Sequence, residues 1–144
     1  MWLVLLRILS ALPFALGGLL NWYMLTHQGA FLLWSLGSVL FLLIWGGLGF
    51  LLNWKHDQAK KITLFLNLIP LIVLLLVAVQ EQILGAYWGS FIGIWSQHFY
   101  LPLMGLGFIF TGWSSSVFPA YVISFLLMVG TSFVGASLRE RWKK

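Results

Sequence analysis

The dominant pattern of this chain is a series of long hydrophobic runs separated by short polar stretches. Residues 31–52 contain no charged side chain and would form a helix roughly 33 Å long, enough to cross the apolar core of a bilayer, which is about 30 Å thick. A second run, residues 62–79, ends at the polar triplet of residues 80–82. These two runs predict two membrane-spanning helices.

Each end of the chain predicts one further span. The first hydrophobic run is interrupted only by Arg7, and we expect a helix over about residues 3–23 with Arg7 reaching the lipid headgroups. The last run covers about residues 117–138, follows three serines whose hydroxyls can cap a helix, and ends at a basic tail. The pattern therefore predicts four transmembrane helices.

The hydrophobic segment of residues 83–113 has only weak breaks, chiefly at residues 96–98. Its two halves, residues 83–95 and 99–113, are each shorter than the roughly 17 residues that a crossing needs. We expect a re-entrant or interfacial hairpin on the outer side, and the alternative is two short crossings that give six tight spans. In either case residues 1–144 form a single transmembrane domain, an all-α helical bundle.

Composition excludes most other classes of protein. Only 8% of the residues are charged, against about 25% in soluble globular domains, and 61% are hydrophobic, which excludes a disordered chain. The chain has no cysteine, so disulfide scaffolds, thiolate zinc sites and cysteine nucleophiles are excluded as well. An integral membrane protein remains.

The placement of the basic residues predicts the orientation in the membrane. Lys55, Lys60 and Lys61 lie in one polar loop, and four further basic residues lie in the tail of residues 139–144. Basic loops face the cytoplasm, so we expect a multi-pass protein of the plasma membrane with both termini in the cytoplasm. Because the charges lie at the ends of predicted spans, we do not expect nucleic acid to be a partner.

Small residues four positions apart indicate surfaces for helix packing. Within the predicted hairpin Gly85, Gly89 and Gly93 form one helical face, and Gln97 continues the same spacing of four. The same spacing recurs elsewhere, at Ala11/Ala15 and Thr131/Gly135. Such faces let two backbones approach closely in lipid, either within one bundle or between subunits.

Three polar residues within or beside the apolar segments are candidates for function. Asn67 precedes Pro70 by three residues and could satisfy backbone groups around the proline break, bond a neighbouring helix, or contact a substrate or ion. Glu81 lies at a span end, where it forms a solvated turn or binds a cation or proton. His98 could share a metal with His27, although neither histidine has a paired metal-ligand spacing.

No catalytic or cofactor motif accompanies these residues. The chain lacks the G-x-S-x-G elbow of serine hydrolases, and the glycines around Gly47 lack the lysine and hydroxyl of a phosphate-binding loop, so no cofactor is predicted. We expect a non-enzymatic accessory or assembly subunit of a larger membrane complex. The alternatives are a small oligomeric transporter or channel and an intramembrane enzyme. The expected partners are the bilayer and the helices of other membrane proteins or of further copies.

Overall fold

All regular secondary structure in the described part of the chain is helical, as predicted. The computed structural model describes residues 8–27, 31–53, 58–85 and 91–142, with the backbone alone for residues 31–33. In chain order the helices are α1 (Leu12–Thr26), α2 (Phe31–Leu52), α3 (Ala59–Leu66), α4 (Leu68–Ala78), a π-helical turn (Val79–Leu84), α5 (Phe91–Thr111) and α6 (Phe118–Trp142).

Three helices in the described ranges are long and apolar enough to cross a membrane. They are Ile8–Thr26, Trp34–Leu52 and Phe118–Trp142. A fourth candidate span results if Ala59–Leu66 and Leu68–Leu84, which are bent by 46° at Asn67, count as one span. These ranges overlap the four spans that the hydrophobic pattern predicts.

The predicted hairpin over residues 83–113 is wrong. α5 is one continuous helix that passes through Gln97 and His98, where the hairpin should have turned. Polar residues do not by themselves end a helix, and the Ser96 hydroxyl bonds the Gly93 carbonyl of its own helix at 2.9 Å. Pro102 lies inside α5 without ending it. The helix packs within the bundle, with Phe99 and Leu103 among its buried side chains.

Contacts with α6 show in which direction each of its neighbours runs. It runs parallel to α2, because Gly46 contacts Thr131 and the Asn53 side chain bonds the Ala136 carbonyl. α3 and α4 run antiparallel to α6. The start of α3 therefore meets the end of α6, and we name this the Ala59 end of the bundle. The π-helical turn meets the start of α6 at the opposite, Glu81 end.

α1 and α5 complete the bundle on the other side of α2. α5 is antiparallel to α6, since Gly107 contacts Ala120 and Leu103 contacts Ser124. α1 is parallel to α5, since the Phe14 ring lies 6.0 Å from that of Trp95 and Gly17, three residues later, contacts His98. The first described residue, Ile8, and the last, Trp142, therefore both lie at the Ala59 end of the bundle.

Candidate functional site

Glycines of α2 and α6 bring the backbones of these two helices into close contact. A side-chain carbon on Gly49 would overlap the Ser132 carbonyl, and one on Gly135 would overlap the Gly46 carbonyl. The Thr131/Gly135 spacing thus lies in this contact. Gly46 and Gly49 are absent from the sequence-based candidates. The available signal was their spacing of three within an apolar helix, which puts both on one face.

The predicted glycine face of residues 85–97 lies only partly within the described residues. Gly85 has a φ of +59° and ends the π-helical turn, and α5 is described from Phe91 onward. Glycine takes this left-handed conformation readily because it has no Cβ. Gly93 is buried in α5, whereas Gly89 lies outside the described residues. The half-buried Gln97 has an amide nitrogen with no hydrogen-bond partner in the described ranges.

His98 takes part in a backbone contact between α1 and α5. A side-chain carbon on Gly17 would overlap the His98 carbonyl oxygen. Pro102, four residues later, has no N–H to donate to that carbonyl. The Gly17 backbone therefore packs against a carbonyl that has lost its helical donor, a position where a weak Cα–H···O contact is favourable.

The two histidines considered as metal ligands are not brought together. His27 stacks on Tyr23 at the end of α1 with ring centroids 4.3 Å apart. It lies ten positions beyond Gly17, the neighbour of His98, which corresponds to roughly 15 Å along a helix. Within the described ranges no three His, Cys, Asp or Glu side chains lie close enough to hold a metal ion.

Asn67 lies at the centre of a buried polar network that joins three helices. Its Oδ1 accepts a hydrogen bond from the Trp45 indole at 3.2 Å, and its Nδ2 donates to the Ser132 hydroxyl at 2.8 Å. Nδ2 also donates to the Thr63 carbonyl one turn earlier, at 2.8 Å. All three side chains are buried. The amide therefore joins α2 to α6 and adds a second hydrogen bond to the Thr63 carbonyl, which also accepts from the Asn67 N–H.

A second polar contact holds the bent segment to α5. The Tyr100 hydroxyl donates to the Pro70 carbonyl at 2.7 Å, and Tyr100 is fully buried. Pro70 lacks the N–H that would bond the Leu66 carbonyl, which weakens the helix at this point and accounts for the bend. The Asn67 and Tyr100 side chains thus bond the Thr63 and Pro70 carbonyls, one on each side of the break.

Two carboxylates bond the N-termini of helices at opposite ends of the bundle. One oxygen of Glu81 accepts from the Ser116 hydroxyl and from the Phe118 N–H at the start of α6, the latter at 3.2 Å. Its other oxygen has no partner in the described ranges. At the Ala59 end, Glu140 accepts from the Ala59 N–H at the start of α3. The first N–H groups of a helix lack internal partners and favour negative charge, so both contacts are stabilising.

Two apolar grooves lie open on opposite sides of α2. The α1/α2 groove has a volume of about 390 Å³ and is lined by residues that include Leu19, Tyr23, Gly37, Leu40 and Ile44. The α2/α6 groove has a volume of about 590 Å³, and its lining includes Leu43, Gly47, Gly130, Val134 and Leu138. A side-chain carbon on Gly37, Gly47 or Gly130 would meet no atom within 4 Å.

A third groove lies on the other side of α6 from the α2/α6 groove. This α3/α6 groove has a volume of about 350 Å³, and its lining includes Lys60, Thr63, Asn67, Val129 and Phe133. The Thr63 hydroxyl is buried and has no hydrogen-bond partner in the described ranges. Apart from Lys60, Thr63 and Asn67, the residues that line this groove are apolar.

Comparison with known proteins gives no family for this chain. No protein-family model matches it, and searches of curated proteins and of solved structures found no significant match.

Proposed function

We propose that this chain is a multi-pass protein of the plasma membrane and a non-enzymatic accessory subunit that docks on a transmembrane helix of another membrane protein. The observation that carries the proposal is the open α1/α2 groove, in which Gly37 lies between the exposed side chains of Leu19, Leu40 and Ile44. A groove with a glycine floor lets a second helix approach closely, and this is how helices associate in lipid.

Membrane insertion is supported by the outward-facing surface of the candidate spans. Large hydrophobic side chains on that surface are exposed, for example Leu43 at 69% and Leu75 at 57%. A protein with such a surface would aggregate in water, whereas lipid tails solvate the surface. The polar side chains of Trp45, Asn67 and Ser132, in contrast, are bonded inside the bundle.

The charge distribution supports an orientation with both termini in the cytoplasm. Lys60 and Lys61 begin α3, and Arg139 and Arg141 end α6, so these four basic residues lie at the Ala59 end. Glu81 lies at the opposite end. The positive-inside rule assigns the Ala59 end to the cytoplasm.

A partner helix suits the α1/α2 groove better than a charged ligand does. The residues that line the groove carry no charge, and the Tyr23 hydroxyl is among its few polar groups. An apolar helix offers the matching surface, because close packing rather than charge drives such association. The partner is therefore expected to present small and apolar side chains along one helical face.

The test is purification in mild detergent followed by mass spectrometry of bound proteins, with Gly37→Leu as the variant. The Cβ of the added side chain meets no atom of the fold within 4 Å and the rest extends into the groove, so we expect the partner to be lost while the melting temperature is kept. Gly18→Leu is the matched control, because Gly18 is exposed, equally unobstructed and does not line the groove. A wild-type chain that purifies as a lone homo-oligomer and conducts a solute in liposomes would overturn the proposal.

A further inference from the structure

The exposed surface of α6 leads from apolar grooves to basic side chains. Along one stripe of this helix lie Leu126, Gly130, Ser137 and Arg141, which are separated by four, seven and four positions and so share a face. The α2/α6 groove flanks this stripe on one side, and the α3/α6 groove flanks it on the other. Both grooves are open, and both are bordered by side chains of α6.

The two grooves converge on a polar depression at the Ala59 end. Val134 and Leu138 of the α2/α6 groove also border a depression that includes Arg141, and Phe133 of the α3/α6 groove borders it too. A neighbouring depression adds Lys60, with Ser137 and Glu140 common to both. We call these two adjoining depressions the headgroup depression.

Positive charge predominates in the headgroup depression. Arg141 and Lys60 are exposed, whereas the carboxylate of Glu140 is engaged by the N–H of Ala59 at the start of α3. Arg139 faces away from the depression, with its guanidinium carbon 5.0 Å from the centre of the Phe50 ring. Two cations thus lie at the end of two apolar grooves, a charge pattern that complements an anionic headgroup with two hydrocarbon chains.

We propose that α6 binds one anionic diacyl phospholipid of the cytoplasmic leaflet. Its phosphate lies between Lys60 and Arg141, the Ser137 hydroxyl donates to a headgroup oxygen, and one acyl chain occupies each groove beside α6. The groove volumes, about 590 and 350 Å³, are within the range of small-molecule sites. This inference rests on the proposed membrane insertion and orientation, but not on the accessory role.

Headgroup selectivity is tested by native mass spectrometry of the full chain in detergent, titrated with phosphatidylglycerol or with phosphatidylcholine of identical acyl chains. We expect one phosphatidylglycerol molecule to bind tightly and phosphatidylcholine to bind more weakly. Lys60→Gln and Arg141→Gln should each weaken phosphatidylglycerol binding by about fivefold and leave phosphatidylcholine unchanged. Lys61→Gln is the matched control, an exposed neighbour that does not line the depression. Equal binding of the two lipids, or an equal loss in the control, would overturn the proposal.

Acyl-chain binding is tested separately with Gly130→Leu, which adds bulk to the α2/α6 groove at a position where a Cβ has no neighbouring atom within 4 Å. We expect both lipids to bind more weakly at an unchanged melting temperature. If the variant instead releases a co-purified protein and leaves lipid binding intact, the groove holds a protein helix and the proposal is wrong. Gly37→Leu alters the α1/α2 groove and should leave lipid binding unchanged. Failure of the accessory role is therefore distinguishable from failure of the lipid site.

Discussion

At the scale of residues, two glycines of α6 differ in the space available for an added methyl group. Gly135 lies against the Gly46 backbone, whereas Gly130 has open space where a Cβ would be. Both are interior positions of α6. The neighbouring helix therefore determines whether a methyl group added at each glycine meets an obstacle.

We predict that Gly135→Ala lowers the free energy of unfolding by about 1–3 kcal/mol, because the methyl group forces α2 and α6 apart. Gly130→Ala should raise it by up to about 1 kcal/mol, since alanine is the better helix former. Thermal unfolding in detergent, followed by circular dichroism, measures both. If the two variants shift the melting temperature in the same direction, the close contact between α2 and α6 is not the determinant.

The sequence identified Asn67 as a candidate but could not identify its partners. Its position before Pro70 indicated a need for backbone hydrogen bonds, and its side chain does bond the Thr63 carbonyl. Trp45 and Ser132 are 22 and 65 positions away in the sequence. Periodicity within a helix carries no information on which neighbouring helix it meets, so these bonds follow only from the packed bundle.

At the scale of elements, we expect the removal of either carboxylate to destabilise only the helix start that it bonds. Glu81→Ala should destabilise the start of α6 by about 0.5–2 kcal/mol, because the Phe118 N–H loses its acceptor. Glu81→Gln keeps an oxygen acceptor but loses the charge, so its effect should be about 0.3–1 kcal/mol. Amide hydrogen exchange at Phe118 is the measurement.

Glu140→Ala provides the complementary control at the other end. Exchange should then increase at the Ala59 amide and stay unchanged at Phe118. An increase at both amides in either variant would show that the carboxylates stabilise the whole bundle rather than the helix that each one bonds.

The apolar runs predicted where helices lie far better than they predicted where helices end. Residues 83–113 were divided at the polar triplet of residues 96–98, yet α5 passes through it because the backbone hydrogen bonds of a helix do not depend on side-chain polarity. Within this segment a helix does end at Gly85, which takes a left-handed conformation and ends the π-helical turn. The sequence contains many glycines, and the hydrophobic pattern does not indicate which of them takes the left-handed conformation that ends a helix.

At the scale of the whole molecule, the directions of the helices predict the sidedness of labelling. The natural chain has no cysteine, so a single introduced one is the only reactive thiol. In intact cells Ser115→Cys, at the Glu81 end, should react with a membrane-impermeant thiol reagent, and Gln58→Cys should react only after permeabilisation. Reaction of Gln58→Cys from outside would contradict the proposed orientation.

The two carboxylate contacts also constrain how the chain can change in length. Glu140 holds the start of α3 and Glu81 lies beyond the end of α4, so the residues between Ala59 and Glu81 connect two attached points. One residue inserted into α4 would turn Glu81 by about 100° and move it by about 1.5 Å, away from the Phe118 N–H. We therefore expect homologues that keep both contacts to tolerate insertions in residues 112–115, ahead of Ser116, and to exclude them from α3 and α4.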